Sequence, residues 1–217
     1  MGSYENIIKI EEMRKKLEEG DLETAQKILD TMDRKKVKNI LDLNLMAEVY
    51  EGNGKYEEAK EIYLKIYERT RTRKALFNLL NIIIKLNDLE EATYFYQVYE
   101  RLAPDDFYNY IFRYYIEKLK GADYESLIGI LEELKKHEYI EKWAYELAKL
   151  YYKAGMEAEC IRECSDIILW FGEGPYVEKA RLLRSYFMGE ADKEKIMQEI
   201  KRRAELKGSQ ADYAAKE

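Results

Sequence analysis

The stretch AEVYEGNGKYEEAKEIY, residues 47–63, places a tight turn between two segments whose apolar residues have helical spacing. Ala47 and Tyr50 are three apart and share one face of the segment before the turn. Gly54 suits the left-handed backbone that closes a helix. Ala59, soon after the turn, lets the second segment approach the first closely. The stretch therefore predicts two antiparallel helices joined by a turn of a few residues.

This turn recurs along the chain at a nearly constant interval. The copies are Gly20-Asp21-Leu22, Gly54-Lys55-Tyr56, Asn87-Asp88-Leu89, Ala122-Asp123-Tyr124, Gly155-Met156-Glu157 and Gly189-Glu190-Ala191. Their middle residues are 34, 33, 35, 33 and 34 residues apart. In the fourth copy Gly121 and Ala122 compete for the turn, so its register is open by one residue. Helix, turn and helix at this period predict a solenoid of about six helix pairs.

The predicted helices leave only short connections between them. The pairs are 5–19 with 22–33, 38–52 with 56–70, 73–86 with 89–102, 105–120 with 123–136, 140–154 with 157–171, and 175–188 with 192–206. The repeat domain is thus expected over residues 5–206. Residues 1–4 are assigned to an N-terminal extension or expression scar, and residues 207–217 to a polar tail.

Small residues recur early in the second helices, where two helices must cross closely. They are Ala25, Ala59, Ala92 and Cys160, with Leu127 as the exception. Small and aromatic residues on the preceding helices match them, as in Ala148 with Tyr151. We expect all four small residues to be buried at helix crossings.

These features resemble the tetratricopeptide repeat (TPR) in period, in the Gly-Asp-Tyr-like turn and in the small residue that follows it. Ala103-Pro104 also lies where this family has a proline between repeats. The likeness weakens in the first repeat, with Met13 and Lys16, and in the last, with Glu194. The resemblance implies an all-α fold, a right-handed α-α superhelix whose first helices line the concave side.

Composition favours helices with soluble outer faces. The chain is 47% hydrophobic and 37% charged, with 2 prolines and 11 glycines among 217 residues. Its apolar runs are far shorter than the ~20 residues of a membrane span, and its beginning lacks the apolar core of a secretory signal. We expect no membrane association and a cytoplasmic location. A net charge of −6 makes a nucleic-acid partner unlikely for the molecule as a whole.

No set of residues indicates catalysis. The only histidine, His137, is expected in a loop, and one histidine does not support a metal triad or a Ser-His-Asp arrangement. Cys160 and Cys164 are four apart on one helix, where disulfide geometry is poor. We interpret them as small buried residues rather than as a metal or redox pair. The sequence predicts no enzymatic activity, no metal site and no cofactor.

Polar stripes on three first helices suggest a binding surface. All three have spacings of 4, 3 and 4, and they are Lys74, Asn78, Asn81 and Lys85, then Asn109, Arg113, Ile116 and Lys120, then Lys142, Glu146, Lys149 and Lys153. Seven of these twelve residues are basic and one is acidic, a charge of +6 in a chain of −6. Acids gather instead on the second helices, for example Glu57, Glu58, Glu61, Glu90 and Glu91.

The stripes predict a basic, amide-rich concave groove for an acidic or extended peptide of a protein partner. The groove residues are Lys74, Asn78, Asn81, Lys85, Asn109, Arg113, Lys142, Tyr145, Lys149 and Tyr152. Phe77 and Phe112 adjoin the stripes as well, although inter-helix core is the alternative for each aromatic residue. Ordinary solvated helix faces are the alternative for the stripes themselves.

Some TPR proteins hold a chain-terminal carboxylate with a clamp of lysine, asparagine and arginine. Asn78 and Arg113 match that clamp, whereas Asn44, Glu48 and Asn109 do not. Glu48 puts a negative charge where an amide donor belongs, so a clamp of this kind is not expected.

Two further functions remain open. Lysines against phosphate with tyrosines stacked on bases would also suit single-stranded RNA. A self-associating module is the other alternative, a homodimer through the C-terminal repeat in which Tyr176, Leu183 and Phe187 pack on a second copy. The leading hypothesis is a non-catalytic protein-binding scaffold.

Overall fold

The structure, a computed structural model, describes residues 2–189, with side chains from Tyr4 onward. Its α-helices are α1 (Gly2–Glu18), α2 (Leu22–Asp30), α3 (Ile40–Gly52), α4 (Tyr56–Thr70), α5 (Arg73–Lys85), α6 (Leu89–Leu102), α7 (Tyr108–Leu119), α8 (Tyr124–His137), α9 (Glu141–Lys153), α10 (Glu157–Phe171) and α11 (Pro175–Phe187). Residues 2–189 contain no strand. The all-α helical-repeat prediction is confirmed, and the helix predicted at 192–206 lies outside the described residues.

The described residues divide into two compact units, one up to Lys120 and one from Gly121 onward. In the first unit each helix from α1 to α7 packs against the next one along the chain. In the second unit α8 packs on α9, and α9, α10 and α11 all contact one another. Helices therefore pack mostly with their neighbours in sequence, as in a repeat protein.

The turns between paired helices close on left-handed residues. Positive φ angles occur at Gly20, Gly54, Asn87, Gly121, Gly155 and Gly189, which are 34, 33, 34, 34 and 34 residues apart. In repeat four the left-handed residue is Gly121, at φ 78°, and Ala122 is an extra residue before the N-cap Asp123. This insertion explains why the sequence spacing reached 35 at that turn.

The predicted small residues form the helix crossings. Ala25, Ala59, Ala92 and Cys160 have no exposed surface. At one crossing the Cys160 thiol donates to the carbonyl oxygen of Ala148 on α9, with Sγ and O 3.3 Å apart. Leu127, the exception in sequence, is buried at the equivalent position, four residues after its N-cap.

Two details differ from expectation or go beyond it. His137 is the exposed last residue of α8, not a loop residue, because basic side chains are favourable at a helix carboxyl end. The linker between α2 and α3 contains a short 3-10 helix, Arg34–Lys36.

Over the described part of the chain, no helix is long and apolar enough to cross a bilayer.

Candidate functional site

The predicted stripe on α5 faces outward in the first unit. Lys74 and Lys85 are exposed, and Asn78 and Asn81 are half-buried between them. Asn81 donates its Nδ2 to the carbonyl oxygen of Phe77, one turn back, at 2.9 Å. The 4-3-4 spacing thus identified one face of this helix.

The stripe on α7 was assigned partly to the wrong face. Asn109 is buried, and its Nδ2 donates to the carbonyl oxygens of Ala103 and Pro104 at 2.7 and 3.2 Å. Ile116 is also buried. Asn109 therefore fixes the entry into α7 and is not a groove residue.

The polar face of α7 instead contains the half-buried Tyr110, Arg113 and Glu117 and the exposed Lys120. Arg113 lies over the ring of Tyr110, with 5.9 Å from its Cζ to the ring centroid. Glu117 brings a second acid into the stripes, so their formal charge falls to seven basic minus two acidic, or +5.

Several of the predicted lysines already have acidic partners. Lys85 contacts Glu51 at 2.6 Å, and Lys120 contacts Glu117 at 2.8 Å. Lys74 is exposed and has no carboxylate partner among the described residues. The first unit therefore offers less net positive charge than the sequence suggests.

Aromatic residues near α5 and α7 are mostly core. Phe112 is fully buried, and Phe77 packs edge-on against Tyr108 with ring centroids 4.6 Å apart. Beside them, Asp106 accepts from the Tyr99 hydroxyl at 2.7 Å and from Arg73. Of the two alternatives for Phe77 and Phe112, inter-helix core is the correct one.

In the second unit the predicted groove residues share one side of α9. Lys142, Tyr152 and Lys153 are exposed, and Tyr145, Glu146 and Lys149 are half-buried. Lys149 pairs with Glu146. Burial raises the pKa of the Tyr145 phenol to about 12, so it stays protonated and can donate a hydrogen bond.

Helix α11 extends this surface with residues that the groove prediction missed. The rings of Tyr145 and Tyr176 have centroids 5.9 Å apart. Lys179 lies over both, with Nζ 4.9 Å from the Tyr176 centroid and 5.9 Å from that of Tyr145. Tyr176 and Lys179 are three apart, the same helical spacing as in the stripes.

Two ammonium groups here, those of Lys142 and Lys179, rest on aromatic rings, whereas Lys149 pairs with Glu146. Lys142 lies 5.1 Å from the Trp143 ring centroid. Among the described residues neither Lys142 nor Lys179 has a carboxylate partner. We call Lys142, Tyr145, Lys149, Tyr176 and Lys179 the α9–α11 surface.

Comparison with known proteins supports the fold assignment. No protein-family model matches the sequence, and no curated protein is similar to it. Among solved structures, a TPR protein from Parabacteroides merdae superposes with a TM-score of 0.62 at 19% identity, covering 92% of this chain and 78% of the other.

Two more structures have the same fold. A thermophilic TPR protein of Thermus thermophilus gives a TM-score of 0.59 at 16% identity, covering 83% of this chain and 97% of its own. MamA from Desulfovibrio magneticus gives 0.58 at 14% identity, with 83% and 98% covered. The chain therefore has a TPR-like helical-repeat fold.

Proposed function

We propose that this protein is a non-catalytic scaffold that binds an acidic, extended segment of a protein partner. The observation that carries the proposal is the α9–α11 surface, where Lys142 and Lys179 lie on aromatic rings and lack carboxylate partners within the described residues. A carboxylate approaching either ammonium would gain an ion pair without displacing another acid.

Contact with aromatic rings holds these ammonium groups in place. A lysine over a tyrosine or tryptophan ring is attracted by about 0.5–1 kcal/mol at an exposed site. That contact limits the rotamers of Lys179 before a ligand arrives, so less side-chain entropy is lost on binding. An acidic peptide would also find a hydroxyl donor in Tyr145.

The surface suits a peptide better than single-stranded RNA. Bases bind such proteins by stacking on open aromatic faces. Lys179 already lies over the rings of Tyr145 and Tyr176, and Lys149 is 5.9 Å from the Tyr145 centroid. Those rings are poorly placed to receive a base.

Self-association through α11 has less support than peptide binding. Of the three residues assigned to it, Tyr176 packs on Tyr145 and Phe187 packs on Tyr152, the latter with ring centroids 5.6 Å apart. Two of the three are therefore engaged within one copy of the chain. A homodimer through the C-terminal repeat stays a prediction, as does the cytoplasmic location.

Charge reversal on the α9–α11 surface tests the proposal. The ligand is a fluorescent glutamate-rich peptide, with a glutamine-rich peptide of equal length as its neutral counterpart. We expect K142E/K179E to bind the glutamate-rich peptide about tenfold or more weakly than wild type, since charged hydrogen bonds contribute about 1.5–3 kcal/mol each. The control K136E changes an exposed lysine of α8.

Fluorescence anisotropy gives the affinities. Equal losses of peptide affinity in K142E/K179E and K136E would show a nonspecific charge effect and reject the α9–α11 surface as the binding site. Equal affinity of the wild type for both peptides would reject an acidic ligand. Displacement of the peptide by single-stranded RNA at physiological salt would favour the nucleic-acid alternative.

A further inference from the structure

A second feature, confined to the first unit, is a solvent-open pocket at the carboxyl ends of α5 and α7. Its volume is about 470 Å³. Ile84, Leu119 and Tyr115 give it an apolar wall, while Lys85, Asn87 and Lys118 supply polar groups. Small-molecule sites typically have about 300–1,000 Å³, an apolar lining and a few convergent polar groups.

The polar lining is basic and amide-rich. Among the described residues, no acidic side chain lines the pocket. Two acids adjoin lining residues in sequence, and both are engaged elsewhere: Asp88 Oδ1 accepts from the backbone N–H of Glu91 at 3.0 Å to cap α6, and Glu117 pairs with Lys120 at 2.8 Å. A negatively charged ligand would therefore meet no like charge in the lining.

The two lysines differ in what already neutralises them. Lys85 contacts Glu51 at 2.6 Å. Lys118 has no carboxylate partner among the described residues, and its Nζ lies 5.5 Å from the Tyr114 ring centroid. Two cations and one paired acid leave one net positive charge, which matches a monoanion better than a dianion.

The end of helix α5 does not cancel this charge. A helix carboxyl end has a partial negative charge on its unpaired carbonyl groups. Here the carbonyl oxygens of Ile82, Ile83 and Ile84 accept from the backbone N–H groups of the closing turn, residues 86–88. Those carbonyls are therefore satisfied within the turn.

We propose that this pocket binds a carboxylate attached to an apolar body. The carboxylate pairs with Lys118 and accepts from the Asn87 amide, and the body packs on Ile84, Leu119 and the Tyr115 ring. The carboxylate has two sources, a small organic acid or the terminal carboxylate of a polypeptide. The proposal concerns the first unit alone and is independent of the α9–α11 surface.

The probe is 3-phenylpropionate, titrated into the full chain and followed by amide NMR shifts and calorimetry. We expect saturable binding with the largest shifts around Ile84, Asn87 and Leu119. Binding should weaken about tenfold in K118A and be lost for the neutral probe 3-phenylpropionamide. The matched control K120A removes a lysine two residues away that pairs with Glu117, and it should stay within twofold of wild type.

A second variant keeps the test independent of folding defects. N87G preserves the turn, because Asn87 has φ 58° and glycine adopts that backbone readily. It removes the amide donor and should lower the affinity for 3-phenylpropionate several-fold. Absence of saturable binding, equal affinity for the neutral probe, or equal losses in K118A and K120A would each overturn the proposal.

A competition experiment distinguishes the two sources of the carboxylate, a small organic acid and the end of a polypeptide chain. Acetyl-Gly-Phe with a free terminal carboxylate is compared with its amide. Competition by the free form assigns the site to a chain end, and its failure to compete assigns the site to a small organic acid. Binding of the glutamate-rich peptide is tested with changes at Lys142 and Lys179, which lie outside this pocket. Either proposal can therefore be rejected without rejecting the other.

Discussion

Ala59 has no exposed surface in α4, where that helix crosses α3. A59L adds three carbons where no space is left, so we expect the free energy of unfolding to fall by about 1–3 kcal/mol. The control E68L places the same side chain at an exposed position of α4 and should change stability by less than about 0.5 kcal/mol. Urea denaturation measures both, and an unchanged midpoint for A59L would contradict the repeat register.

The two thiols are expected to be structural and unreactive. Both are fully buried, and the hydrogen bond with Cys160, together with burial, raises the pKa of the Cys164 thiol. Native protein should react with iodoacetamide far more slowly than unfolded protein. C160A/C164A should lose stability, by about 1–3 kcal/mol, with peptide binding retained. Stoichiometric zinc that disappears in this variant would contradict the interpretation.

At the scale of the helix and its turns, the left-handed residue sets the repeat register. G121A forces a Cβ onto a residue at φ 78° and should cost about 1–2 kcal/mol. A122G, at the inserted neighbour, should cost less, since Ala122 is not among the positive-φ residues. Thermal unfolding of the two variants compares them. A larger loss in A122G would move the turn of repeat four by one residue.

A buried carboxyl joins α8 to α10. Glu163 is 4% exposed and accepts from Lys135 at 2.6 Å and from the Tyr139 hydroxyl at 3.1 Å. Burial opposes ionisation more than these donors favour it, so the pKa of Glu163 is raised. The folded state then binds its proton more tightly than the unfolded state, and this contribution to stability declines as pH rises above the unfolded pKa of about 4.3.

E163Q tests this linkage. Glutamine does not titrate, so the free energy of unfolding of E163Q should decline less than that of wild type as pH rises from about 4 upward. Urea denaturation across this range measures the two slopes. The control E132Q changes an exposed acid that, like Glu163, accepts a hydrogen bond from a tyrosine hydroxyl, that of Tyr151 at 2.7 Å. Parallel slopes for wild type and E163Q would show that Glu163 titrates normally.

For the molecule as a whole, basic first-helix surfaces occur in an acidic chain of net charge −6. K74E/K149E reverses one lysine in each unit, and we expect the melting temperature to fall only slightly, because Lys74 is exposed and the surface ion pair of Lys149 with Glu146 contributes about 0–1 kcal/mol. Association of the glutamate-rich peptide should slow and lose most of its salt dependence, since steering depends on the local field. Stopped-flow kinetics at two ionic strengths measures this. A variant with unchanged rate and salt dependence would reject the lysine assignment.

Helix pairs and turns were predictable because their signals are local. Apolar spacing marks a helix face, and a residue such as Gly54 marks where the backbone must turn left-handed. The same signals located Ala59 and Cys160 at helix crossings. One position needed coordinates, because glycine and alanine stand together at Gly121 and Ala122 and only the backbone angles distinguish them.

Sequence by itself determined the all-α repeat, its period and the outward faces of α5 and α9. Only the tertiary structure decided the face of α7, because one residue turns a helix by about 100° and Asn109 finds its partners at the carbonyls of Ala103 and Pro104. The tertiary structure also decided which lysines are neutralised by a nearby carboxylate. Lys85 meets Glu51 from 34 residues away, whereas Lys179 rests on aromatic rings of α9 and α11. Packing between helices brings Glu51 to Lys85 and Tyr145 to Lys179, and no spacing within one helix encodes these two contacts.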